Sequence, residues 1–456
     1  MPALPPLHRI ALALLALLPL ALAAEMPLQL PPLDYRERVL ANGLTVLSLE
    51  DHRSPTVAVQ VWYRVGAKDD PPGRSGFAHL FEHLMFKRTR HLAAEQFDRL
   101  TEDVGGENNA GTSDDGTQYL DTVPSGHLER LLWAEAERLQ HLEVDADSFR
   151  SERAVVQEEF RQTVLTPPYG RLEHLLQQLS WQRHPYRRPT IGSIEDLDAA
   201  GLADVRSFHT TYYRPDNAAL VVSGDFDPVQ LDRWVDRHFG AIPRPTTAIP
   251  RVTVVEPPRT EDRRSTVRLP QVPLPALAIS WLAPPAASQD AAALRIAEML
   301  LSGGRSSRLY QTLVERQPLA QEVSFRYDAL ADGGLCSLIA VVAGGRSLAR
   351  LESAALAALR QLADAPIAAA EIDKARTLLL TEQLKSRETV DGRAAALGDA
   401  WLLTGRAGHA NDELPALLAV TAAGVQRVVR EVLLQGHRTT LEYRPAGSDV
   451  PHKDRR

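Results

Sequence analysis

The same succession of strands and helices is written twice along this chain, once in each half. In the first copy, residues 39–49 and 56–66 alternate apolar and polar side chains, with Val57, Val59, Val61, Tyr63 and Val65 on one face. That is the period-2 pattern of a half-buried strand. Residues 109–122 alternate as well. Helical periodicity covers 126–142, 146–163, 170–179 and 202–213, and 218–224 is a short apolar strand. In the second copy a strand at 276–282 leads into a long helix from 286 to 301. Residues 425–434 followed by 439–443 echo the 205–220 stretch. Antiparallel-looking strands mixed with long helices predict an α+β fold. Two similar domains are expected, each a mostly antiparallel sheet packed with helices and related by duplication. The expected limits are 33–241 for the first domain and 265–447 for the second. A linker rich in Pro, Thr and Arg joins them at 242–264, and a tail follows at 448–456.

A length of 456 residues suits two or three domains with their own cores. A net charge of −7 and the lack of a basic stripe argue against nucleic-acid binding. The single cysteine, Cys336, excludes an intrachain disulfide and a Cys-based zinc cluster. It sits in an apolar run that reads as a buried strand, so a small buried thiol is expected. At the N-terminus, His8 and Arg9 precede an apolar stretch from 10 to 24, and Ala21-Leu22-Ala23 fits the small-x-small cleavage rule. The stretch is short for a membrane span, which needs about 20 apolar residues. Residues 1–23 are therefore expected to be an export signal cleaved near Ala23. The mature chain would then lie in the periplasm with no membrane span; an uncleaved anchor is the alternative.

The chemistry is concentrated in His79-Leu80-Phe81-Glu82-His83. On a helix, residues four apart stack on one face, so both imidazoles can reach one ion, with Glu82 beside them. Two neutral histidines suit zinc, and a nearby carboxylate can take a proton from water activated by it. The helix is apolar almost all round, so three polar side chains are costly to bury without a partner ion. A third ligand is needed, and the acidic segment 151–160 offers Glu152, Glu158 and Glu159. Spacing does not choose among them.

With those residues in view, the chain resembles the pitrilysin/insulinase family of zinc peptidases, the inverzincins, along almost its whole mature length. The inverted motif matches at His79, Glu82 and His83. Counted from the second histidine, the place of the family's downstream glutamate falls on Glu159, which selects it as third ligand; Glu152 matches the family's supporting acidic residue. Asn109-Ala110-Gly111-Thr112 resembles the edge strand that binds substrate. His184-Pro185-Tyr186, Gly192, Tyr213, Pro215, Asn217 and Gly224-Asp225 resemble landmarks of the first domain, and Ser307-Arg308-Leu309 one of the second. The resemblance implies one Zn2+ per chain and Glu82 as general base. It also implies a closed chamber in which peptides or unfolded segments are cut. A non-hydrolytic, chaperone-like peptide-binding subunit of the same fold is the alternative. Half-size members of the family work in pairs. The Arg and Tyr that complete the site there are replaced by Val314 and Gln321, with Arg316 and Tyr327 out of register. A homologous non-zinc partner carrying that pair is therefore expected; a homodimer using Arg316 or Tyr327 is the alternative.

Overall fold

A computed structural model of the chain describes residues 31–447. The export signal expected at 1–23 and the tail at 448–456 lie outside the described residues. The alternating segments of the first half become β1 (Arg36–Val39), β2 (Thr45–Glu50), β3 (Thr56–Tyr63), β4 (Glu107–Thr112), β5 (Thr117–Pro124) and β6 (Ala218–Gly224). They lie in the order β1-β2-β6-β3-β5-β4, antiparallel except between β2 and β6. The second half supplies β7 (Arg263–Leu269), β8 (Ala276–Ala283), β9 (Ala320–Ala329), β10 (Gly334–Val342) and β11 (Arg438–Pro445). Their order is β7-β11-β8-β10-β9, and again only the first pair, β7 with β11, is parallel. β2, β6, β3, β5 and β4 thus correspond one for one to β7, β11, β8, β10 and β9. β3 starts at Thr56 and β8 at Ala276, β6 at Ala218 and β11 at Arg438, so both pairs have the same offset. One strand order with one parallel step, repeated at a constant offset, is what a duplication leaves behind.

Two stretches that read as single strands are each broken by a turn. Residues 39–49 divide at Asn42-Gly43, where Gly43 takes φ +95°. Asn42 fixes the corner by accepting the Leu44 N–H and donating to the carbonyls of Phe239 and Ile242. Residues 109–122 are a hairpin, not one strand. The chain reverses at 113–116, where the Ser113 hydroxyl accepts the N–H groups of Asp115 and Gly116.

β3 is buried on both faces. Val57, Val59, Val61 and Tyr63 enter a core shared with the Phe77–Leu84 and Leu128–His141 helices. Ala58 and Trp62 point the other way, against Val390, Ala394, Leu397 and Trp401 of the second-half helix Val390–Thr404. Gln60, also buried on that side, donates to the carbonyl and carboxylate of Asp391. The exchange is mutual. Helix Gly170–Ser180 lays Leu172 and Leu176 on Ala276, Ala278, Val341, Leu441 and Tyr443 of the second sheet. Each buried leucine contributes about 1.5–3 kcal/mol relative to exposure. Each half therefore depends on the other to cover one face of its sheet.

The segment between the sheets is pinned rather than loose. Arg214 donates to the carbonyls of Pro245 and Thr247, and Glu256 accepts the N–H groups of Gln182, Arg183 and His184. Buried Arg259 donates to the carbonyls of Ser180 and Ser280. Cys336 is fully buried in β10. Among the described residues, no helix is long and apolar enough to cross a membrane.

Candidate active site

Helix Phe77–Leu84 buries Phe77, Ala78, Leu80, Phe81 and Leu84 against the first sheet. Its opposite stripe therefore presents His79, Glu82 and His83. The start of the helix is fixed by Asp70, whose carboxylate accepts the N–H groups of Gly76 (2.7 Å) and Ala78 (2.8 Å). Those donors would otherwise be orphaned at a helix N-terminus. Gly76, at φ +94°, lets the chain enter close under Ile191, whose carbonyl oxygen would lie 2.8 Å from a Cβ.

The two imidazoles stand 5.0 Å apart, centre to centre and nearly perpendicular. Helix Ala146–Phe160 faces them and separates the three carboxylates that spacing left open. Glu159 Oε2 lies 3.7 Å from His79 Nε2 and 3.6 Å from His83 Nε2. Glu152 is buried, 3.7 Å from His83 Nδ1 and 3.0 Å from Lys87 Nζ. Glu158 is exposed and accepts from Arg161 and Gln162. The ligand atoms of His79, His83 and Glu159 all lie within 4.8 Å of one another. Separations of 3.6–3.7 Å are too long for hydrogen bonds. They suit donors around one tetrahedral ion, which at about 2.0–2.2 Å from the metal sit roughly 3.4 Å apart. Burial, reinforced by His83, pulls the His79 pKa down to about 4, so its ring is neutral and able to ligate at pH 7. For His83, burial works downward but the carboxylates of Glu152, Glu82 and Glu159 outweigh it and raise the pKa. Two imidazoles and a carboxylate with a fourth position open fit zinc.

Glu82 is partly buried and accepts the Thr112 hydroxyl at 2.6 Å on Oε2. Burial raises its pKa against the pull of that hydrogen bond. Thr112 ends β4, the outermost strand of the sheet. Ser113 bonds Gly116 across the turn, so by antiparallel alternation Asn109 and Gly111 bond to β5 while Ala110 and Thr112 face outward. The Ala110 N–H accordingly finds only the Asn109 side chain. The structure thus sets the Asn109–Thr112 edge directly beside Glu82.

Several supporting residues are not marked by any sequence pattern described above. Asp70 shows in the sequence only as part of an acidic loop. Arg138, 1% exposed, donates to Glu135 and lies 4.2 Å over each of the Phe97 and Tyr119 rings, with Asp121 beside it. The Glu135–Arg138 spacing of three on a helix is the available signal. His184 fixes the short turn that follows it, its Nδ1 accepting the Tyr186 N–H.

Among the described residues, the second half carries no such site. The corresponding helix Ala291–Ser302 contains no histidine. Val314 packs against the second core and Gln321 is exposed. Tyr327 is buried and donates its hydroxyl to the Pro284 carbonyl, so it is committed inside its own half. Arg316 is exposed.

The family model described as Insulinase (Peptidase family M16) matches residues 45–193, and that described as Peptidase M16 inactive domain matches 200–379. The chain is 30% identical over 439 residues to the zinc protease PqqE of Helicobacter pylori, covering 95% of this chain and 98% of that protein. It is 23% identical over 408 residues to the probable mitochondrial-processing peptidase subunit beta of Arabidopsis thaliana, covering 88% of this chain and 76% of that one. A solved structure of a protease from Helicobacter pylori matches with a TM-score of 0.87 at 29% identity, covering 91% of this chain and 100% of that one. Similar to a named zinc protease from end to end and matched by both family models, the chain belongs to the insulinase (M16) family of peptidases.

Proposed function

We propose that this chain is a zinc-dependent endopeptidase that cuts extended peptides or unfolded segments, and that it is the catalytic subunit of a heterodimer. The observation that carries this reading is the convergence of His79, His83 and Glu159 within 4.8 Å, beside Glu82 and an open strand edge. His79, His83 and Glu159 would hold one zinc ion, and Glu152, 3.7 Å from His83 Nδ1, would steady that imidazole from its other side. Zinc bound there supplies Lewis acidity toward a peptide carbonyl and water. Glu82 takes a proton from the attacking water and delivers it to the leaving amine. The peptide lies extended along β4, pairing with the outward backbone groups of Ala110 and Thr112. Asn109 and Gly111 hold that edge in place through their bonds to β5. Backbone pairing discriminates weakly among side chains, which favours loose specificity.

With Val314 and Gln321 at the places where the family has an Arg and a Tyr, this half supplies neither donor to a developing oxyanion. Losing one such donor typically costs about 10²–10³ in turnover. A homologous partner without zinc ligands supplies the pair. Tyr327 is already engaged with Pro284, which leaves Arg316 alone to support a homodimer. The exported chain acts in the periplasm, and a mature N-terminus at Ala24 in that fraction is the finding expected of it.

The experiment is to measure zinc content and cleavage of an unstructured peptide by the purified chain, alone and with the homologous partner. One zinc per chain, weak cleavage alone and strong cleavage on mixing are expected. Full activity unchanged by the partner overturns the heterodimer. Zinc-free protein with no cleavage in either arm overturns the peptidase.

A further inference from the structure

Residues of both halves hold the tip of the β4–β5 hairpin. Ala67 and Lys68 donate their N–H groups to the carbonyls of Ser113 and Asp114, at 3.0 and 3.1 Å. Asp115, 3% exposed, accepts three more donors: the Tyr186 hydroxyl at 2.5 Å, the Lys68 ammonium at 2.8 Å and the Ala331 N–H at 2.9 Å. Ala331 lies in the turn between β9 and β10, in the second half. Its neighbour Asp332 accepts the same ammonium at 2.8 Å and donates its N–H to the Tyr186 hydroxyl at 3.0 Å. Behind the tip, Leu402 of the exchanged helix is so close that a Cβ on Gly116 would fall 2.6 Å from its methyl carbons. The run 67–70 also ends at Asp70, the cap of the His79–His83 helix. A few residues therefore tie together the hairpin tip, the start of that helix and a second-half turn.

We infer that Lys68, Asp115, Tyr186 and the Ala331–Asp332 turn form a clasp by which the second half positions β4, and with it Thr112, against Glu82. An edge strand is paired on one side only, so its turn anchors it more than a central strand's would. Thr112 lies three residues before Asp115, and a shift of the tip is transmitted straight to its hydroxyl. Lys68 bridges two carboxylates, and its removal takes from buried Asp115 the cation that links it to the more exposed Asp332. Lys68 and Asp332 touch neither the ligand set nor the docking edge, so they are positioning residues. The effect on turnover rests on the peptidase reading; the effect on β4 does not.

The test uses the full-length chain with Lys68→Met, and with Asp332→Ala, whose partly exposed site tolerates truncation. Amide hydrogen exchange, zinc content and peptide turnover are followed together. In both variants the Asn109 and Gly111 amides should exchange at least about tenfold faster while the β2–β6 ladder and the zinc content stay unchanged. Turnover should fall roughly 10–100-fold, as expected for about 1 Å of misplacement, with KM nearly constant. Native exchange at Asn109 and Gly111 in both variants overturns the clasp. Faster exchange in a protein that cleaves nothing even as wild type leaves the clasp standing and removes the peptidase reading instead.

Discussion

Thr112→Val separates the chemistry of the site from its packing. The substitution keeps a β-branched side chain of the same shape in a strand, so fold and stability should be retained. It removes one donor, the hydroxyl that lies 2.6 Å from Glu82 Oε2. A hydrogen bond to a charged group contributes about 1.5–3 kcal/mol. With about 1.4 kcal/mol worth tenfold in rate, the loss of an oriented base should lower kcat roughly 10–100-fold. KM should change little, because the variant keeps its backbone groups on the docking edge. Thr112→Ser should recover most of the loss. The assay is steady-state cleavage of an unstructured peptide by the chain, alone and with the proposed partner, with zinc content measured on the same samples. A Thr112→Val protein with full zinc and wild-type kcat would refute the reasoning, since the hydroxyl would then be doing nothing for Glu82.

Gly398 tests the exchanged helix: a Cβ there would fall 2.2 Å from the Trp62 indole, so Gly398→Ala should cost about 1–3 kcal/mol in thermal unfolding without loss of zinc. Glu159→Ala should purify with little zinc, and chelation should lower Tm in the wild type but not in this variant; a ligand at a thousand times its Kd stabilises by about 4 kcal/mol. The Asp332 carboxyl is held at about 2, by the His184 imidazole 3.6 Å away first and by the Lys68 ammonium, against the opposing effect of burial. Its folded pKa is depressed, so its stabilisation is complete above about pH 4 and is lost as pH falls through about 2. Asp332→Asn should therefore flatten the fall of Tm between about pH 4 and 2, by about 1 kcal/mol for so exposed a group.

The His79–His83 helix is legible in the sequence because its pattern is local: an apolar stripe, with two histidines four apart and a carboxylate between them. Glu159 is not separable from Glu152 and Glu158 by spacing, because the choice depends on how helix Ala146–Phe160 crosses helix Phe77–Leu84. The duplication is visible as an echo between the halves, and strand order makes it explicit. The alternation of Val57, Val59, Val61 and Tyr63 marks one face of β3 but hides the other. Ala58 and Trp62 are buried by helix Val390–Thr404, at the far end of the chain, and nothing local signals that. The 113–116 turn has a local signal, since Ser113-Asp114-Asp115-Gly116 is a run of turn formers with no apolar residue, and only a reading of 109–122 as one alternating strand hides it. Asp70 escapes it too, because its partners are backbone N–H groups, which no side-chain pattern reveals.

The most direct measurement is on Glu82→Gln: zinc per chain by elemental analysis, set beside peptide hydrolysis with and without the proposed partner. The substitution keeps shape and the ability to accept the Thr112 hydroxyl, and removes only the base. One zinc retained and hydrolysis abolished is the predicted result. Hydrolysis at the wild-type rate, or a wild-type chain that binds no zinc at all, would contradict the account.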